Sequence, residues 1–113
     1  MSNNLSAPIG EAFNLVDHIT YADGSVISKT LLDKGIGTIT LFSFDTGQGL
    51  SEHTSPYDAV VHILDGDAEI TINGKAQTGH TGEMIIMPAN IPHALLARNR
   101  FKMLLIMIRK QKD

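Results

Sequence analysis

Two histidines occupy matching places in this 113-residue sequence. His53 enters "HTSPYD" and His93 follows "MPANIP", so each opens a short apolar run beside a turn that contains proline. An imidazole so placed can ligate a first-row metal, take a proton near neutral pH, or serve as a polar handle for a small molecule. The other three histidines read differently. His18 and His80 sit in polar surroundings, the second between Gly79 and Gly82, as surface loop residues do. His62 lies within "AVVHILD", where alternation groups it with Val60 and Leu64 and opposes it to Ala59, Val61 and Ile63. A buried or interface histidine with a hydrogen-bond partner suits that place.

The elements that must position these residues are strands. Ten glycines and four prolines punctuate the chain, and the apolar segments between them are short with a period near two. "SVISKTLLD" and "IGTITLFSFD" alternate or half-alternate, and "AVVHILDGDAEITINGKAQ" holds two turn signals, Asp65-Gly66 and Asn73-Gly74. Asn-Gly between β-rich runs marks a hairpin, because both central residues of a type I′ turn need positive φ. Ala68, Ile70 and Ile72 then share a core face, with Glu69, Thr71 and Asn73 on the wet one. "EMIIMP" and "HALLAR" are strands around the Pro88 to Pro92 turn, and "FKMLLIMIR" closes the chain with a run, Met103 to Ile108, apolar on both faces. A helical turn is expected only at "GEAFNLVDHI". This rhythm predicts an all-β sandwich or barrel, with residues 1–20 as an N-terminal arm and 21–113 as a single domain.

Composition narrows the partners. There are no cysteines, which removes disulfides, thiolate metal sites and a cysteine nucleophile. No signal-peptide pattern opens the chain and no run of ~18 apolar residues could span a bilayer, so a cytoplasmic protein without membrane contact is expected. Net charge is −3, and six of the nine Lys and Arg residues lie from Arg98 onward, ending in the solubilising "RKQKD". The stretch from Gly35 to Gly74 has no Lys or Arg but carries Asp45, Glu52, Asp58, Asp65, Asp67 and Glu69. Such a field disfavours nucleic acid.

Two segments spanning Gly47 to about Met107 resemble the paired motifs of the cupin superfamily. The first motif runs glycine, five residues, His, one residue, His, three or four residues, Glu, six residues, glycine. Gly47 and His53 match it, Ser55 stands at the second His, Ala59 at the Glu, and Gly66 closes it. The second runs glycine, five residues, Pro, one residue, glycine, two residues, His, three residues, Asn. It reads here Gly82, Pro88, Asn90, His93, Ala97, and the 15-residue spacer from Asp67 to Thr81 keeps the two in register. Asn for glycine at position 90 is mild, since Asn tolerates positive φ. The resemblance implies a double-stranded β-helix, the jelly-roll barrel.

In metal-dependent cupins the resemblance implies three histidines and a glutamate around a divalent ion: nickel, manganese, iron or zinc. Ser55 and Ala59 delete one imidazole and the carboxylate, leaving His53 and His93 as a two-imidazole remnant that holds such an ion weakly. Asp58, one residue from the expected carboxylate, faces the other way under strict alternation, although the turn at Ser55 to Tyr57 leaves its parity open. The pocket expected at the barrel mouth comprises His53, Ser55, Tyr57, Asp58 and His93. Two function classes follow. One is a binding or sensing module for a small organic anion or a sugar, favoured because losing ligands harms metal affinity more than the fold. The other is a cupin enzyme of dioxygenase, isomerase or epimerase type, in which the ion polarises an oxygenated substrate or His53 or His93 acts as general base. No helix-turn-helix pattern accompanies the barrel, so a DNA-binding regulator is not expected. The double-faced final strand and the weakly charged "TLLDKGIGTITLFSF" predict a homodimer.

Overall fold

The computed structural model describes residues 7–109, so "MSNNLS" and the Lys110 to Asp113 part of the basic tail lie outside the described residues. Eight strands follow a single 3₁₀ turn at Val16–His18: β1 (Val26–Lys34), β2 (Gly37–Phe44), β3 (Gly49–His53), β4 (Tyr57–Ile72), β5 (Lys75–His80), β6 (Met84–Met87), β7 (His93–Leu96) and β8 (Phe101–Arg109). Among the described residues no helix is long and apolar enough to cross a membrane.

All pairings are antiparallel, and β4 belongs to two sheets. Its first half lies between β8 and β6 in a sheet ordered β1-β2-β8-β4-β6, and its second half between β5 and β7, with β3 outside β7. The two layers curl over one core. This is the expected jelly-roll barrel.

The strand passes from sheet to sheet at Asp65-Gly66, where a hairpin turn was expected. β4 runs unbroken for 16 residues through that dipeptide, and its register against β8 shifts between Ile63 and Asp65. Gly66 has φ 76°, and a Cβ there would collide with the Arg100 carbonyl. The dipeptide makes a bulge that bends the strand around the barrel corner, instead of reversing it. Asn73-Gly74 does reverse the chain, both residues at positive φ, with Ile72 paired to Lys75.

Alternation along β4 sends Ala59, Val61 and Ile63 inward, joined by Met103 from β8 and Leu95 from β7 in a buried core. Phe44 and Phe101 stack at 4.4 Å across the floor, at the end away from His53. The outer face of the larger sheet is also apolar, and the arm covers half of it. Leu15 and Ile19 lie against Leu31, Leu41, Leu64 and Leu104. Polar pins fix the arm: the Lys29 ammonium donates to the His18 carbonyl (2.7 Å), Lys102 to that of Val16 (2.6 Å), and the Ser43 hydroxyl to that of Thr20 (2.8 Å). The expected helical turn in the arm is only the 3₁₀ turn, where the Asp17 amide donates to the Asn14 side chain (3.0 Å). The other half of this face, including Met84, Ile86 and Ile108, is exposed.

Candidate pocket at the barrel mouth

His53 ends β3 and His93 begins β7, and the two residues face each other across the antiparallel pair. Their rings meet edge to face with centroids 4.4 Å apart. Getting them there takes a local irregularity. The β3–β7 register shifts between Leu50 and His53, and Gly49 lets β3 run so close to β7 that a Cβ would strike the Leu95 carbonyl. The turn before His93 depends on Asn90 at φ 65°, whose amide donates to the Ser55 carbonyl (2.7 Å). That bond ties the two proline turns together and sets the histidines side by side.

Both imidazoles are oriented by the backbone. His53 Nδ1 lies 2.7 Å from the Ser51 carbonyl, and His93 Nδ1 lies 3.1 Å from the Ile91 carbonyl. A carbonyl oxygen only accepts, so each Nδ1 carries a proton, and a ring with no second proton keeps Nε2 as a lone-pair acceptor. The two rings line a cavity of about 40 Å³ together with Ala59. Leucines 50, 95 and 105 and methionines 87, 103 and 107 make the rest of its wall. His93 is 4% exposed, whereas His53 is exposed and marks the opening to solvent.

The remaining residues expected here, Ser55, Tyr57 and Asp58, are not part of this cavity's wall. The Ser55 hydroxyl accepts from the Tyr57 amide (3.1 Å). Tyr57 is half-buried and lies two residues before Ala59, on the same face of β4. Asp58 points to the opposite face, where its carboxylate accepts from the Ala89 amide (2.9 Å) and pins the second proline turn. The other histidines lie elsewhere: half-buried His18 packs on Phe13 (4.8 Å), His62 is half-buried between Met84 and Leu104 on the outer face, and exposed His80 pairs with Asp67 (2.9 Å). The hydrogen bond from His80 to the Asp67 carboxylate raises its pKa above the ordinary value. Three methionines converge on this cavity; by sequence the chain's methionines read as ordinary core, with an adaptable apolar lining as the other reading.

The family model for a cupin domain matches residues 40–109, over half of the chain. The chain is a cupin. It is also similar along its whole length to a conserved protein of unknown function from Streptococcus pyogenes, at 38% identity over 99% of this chain and 98% of that one, with a TM-score of 0.88. A cupin superfamily protein from Desulfitobacterium hafniense shares 30% identity over 96% and 97% of the two chains (TM-score 0.86). A cupin 2 conserved barrel domain protein from Leptotrichia buccalis shares 40% over 86% of this chain (TM-score 0.83), which spans about half of that protein's length, 47%. No curated protein matches.

This cupin's donors do not fit the ion site of three histidines and a glutamate that the metal-dependent members imply. Among the described residues no group of three or more His, Cys, Asp or Glu side chains is placed to hold a metal. Ala59 occupies the glutamate's place at the cavity and ends at Cβ, the Ser55 hydroxyl is engaged with backbone, and the Asp58 carboxylate is turned onto Ala89.

Proposed function

We propose that this cupin is a binding module for a small hydroxylated organic molecule, two of whose hydroxyls enter the barrel mouth, one donating to the His53 imidazole and one to the His93 imidazole. The observation that carries the reading is the commitment of both Nδ1 atoms to backbone carbonyls. With both Nδ1–H groups committed to carbonyls, the form of each ring that carries one proton offers Nε2 as an acceptor, which suits an incoming O–H. A cavity of about 40 Å³ admits a group the size of one to a few waters, so the body of the ligand rests outside, against Tyr57 and the exposed edge of His53.

Binding is favoured over acid–base catalysis because a catalytic histidine is ordinarily oriented and charged by a carboxylate, whereas here carbonyls do the orienting. Any divalent first-row ion would have two imidazoles and nothing to compensate its charge, so it is held weakly and no step runs through it. The test is a thermal-shift and calorimetric screen of sugars and phenols, repeated with His93→Ala. Stabilisation of the parent by a hydroxylated compound, lost in the variant, is expected. Equal binding by both proteins, or a preference for carboxylates lacking a hydroxyl, would remove the proposal.

A further inference from the structure

Three of the chain's five methionines, Met87, Met103 and Met107, wall the same small cavity as the two histidines. They come from β6 and β8, strands on opposite sides of β4, so no single amphipathic pattern gathers them. Met87 and Met103 are 2% and 0% exposed. The side chains with polar or polarisable groups that wall the space are therefore two imidazoles and three thioethers, with no carboxylate among them. That donor set excludes as much as it offers. A divalent ion placed among it would carry two uncompensated charges into an apolar wall, which is costly. A monovalent soft ion carries one, and thioether with imidazole is the combination that selects Cu(I) over zinc or nickel.

The orientation of the rings points the same way. In metal sites the ligating histidine donates its other ring N–H to a carbonyl or carboxylate, which fixes the tautomer and strengthens the donor. His53 and His93 both make that bond, to Ser51 and Ile91, before any ion is present. The cavity is of ionic rather than substrate size. We infer that the mouth of this barrel is a Cu(I) site, with His53 and His93 as nitrogen ligands and sulfur supplied from Met87, Met103 and Met107. The inference rests on the reading of the His53–His93 pocket as the ligand site, and names a second occupant for it.

The test is anaerobic titration of the full chain with Cu(I) supplied as its coloured bicinchoninate complex, with no organic ligand present, followed by X-ray absorption at the copper edge. Withdrawal of one Cu(I) per chain is expected, with sulfur among the nearest scatterers and zinc and nickel bound at least about a hundredfold more weakly. The triple variant M87L/M103L/M107L nearly conserves volume and keeps both imidazoles, and it should lose the sulfur signal and tenfold or more in Cu(I) affinity. Single Met103→Leu, with a smaller loss, serves if the triple variant fails to fold. No withdrawal of copper, a copper shell without sulfur, undiminished affinity in the folded leucine variants, or tighter binding of zinc would each overturn the inference. Those results would leave hydroxyl binding untouched, since it needs no sulfur and is tested separately by its expected loss in His93→Ala.

Discussion

Replacing Ser55 by His and Ala59 by Glu in the same chain rebuilds a full divalent-ion set in register, because Ala59 already faces the cavity beside both histidines. Calorimetry with nickel or manganese should show weak binding by the parent and affinity higher by orders of magnitude in the double variant. Tight binding by the parent would mean that a ligand has been overlooked. The histidines themselves are expected to matter little for folding. His53→Ala and His93→Ala should retain a cooperative unfolding transition with a loss of about 1–2 kcal/mol, the larger for buried His93, measured by urea denaturation. Collapse of either variant to a molten state would assign the pair to holding the turns together. At this scale the sequence was legible through spacing: the motif register put His53 with His93 and predicted the positive φ that Asn90 adopts. It did not decide Asp58, since the side a residue faces after an irregular turn depends on backbone angles that neighbouring residue types do not determine.

At the scale of elements, β4 shows why a local signal can be read correctly and still mislead. Glycine at positive φ serves a hairpin and a bulge alike, and what distinguishes them at Gly66 is the Arg100 carbonyl pressed against it, a contact distant in sequence. Gly66→Ala combines that collision with a strained φ and should destabilise by about 3 kcal/mol or more, a result that calorimetric unfolding can read. The same corner is tied by Arg100, which donates to Asp45 (2.7 Å) and Asp23 (2.6 Å) and so links the β7–β8 connection to the segments flanking β1 and β2. The bond from Arg100, helped by the Gly24 amide, holds the Asp45 carboxyl at about 2, below its ordinary 3.8. A depressed folded-state value contributes stability that is present above pH ~4 and lost as pH falls toward ~2. Carboxyl titration by NMR should show this, and Arg100→Gln should return Asp45 toward its ordinary value. An unshifted Asp45 in the parent would contradict the linkage.

At the scale of the whole molecule, an apolar surface stays exposed among the described residues. Ile36, Met84, Ile86 and Ile108 are 78%, 57%, 63% and 54% exposed, and a groove of about 300 Å³ runs between Leu32, Ile39, Ile106 and Ile108 on the same face. These four side chains expose on the order of 500 Å², so two copies burying them against each other reach the ~1,000 Å² that a specific interface needs. We therefore propose a two-fold homodimer through this face, the account that also explains a final strand apolar on both sides. Light scattering at micromolar concentration should give twice 12.2 kDa, and Ile86→Glu with Ile108→Glu should give the monomer. A monomeric parent would leave the bare face without an occupant. Each copy would keep its own mouth, where the central claim is tested most directly by long-range ¹H–¹⁵N spectra of the imidazoles during titration with a hydroxylated ligand. The predicted result is a shift of Nε2 in both His53 and His93, with each Nδ1 remaining the protonated nitrogen. Saturable binding that leaves both rings unmoved would contradict it.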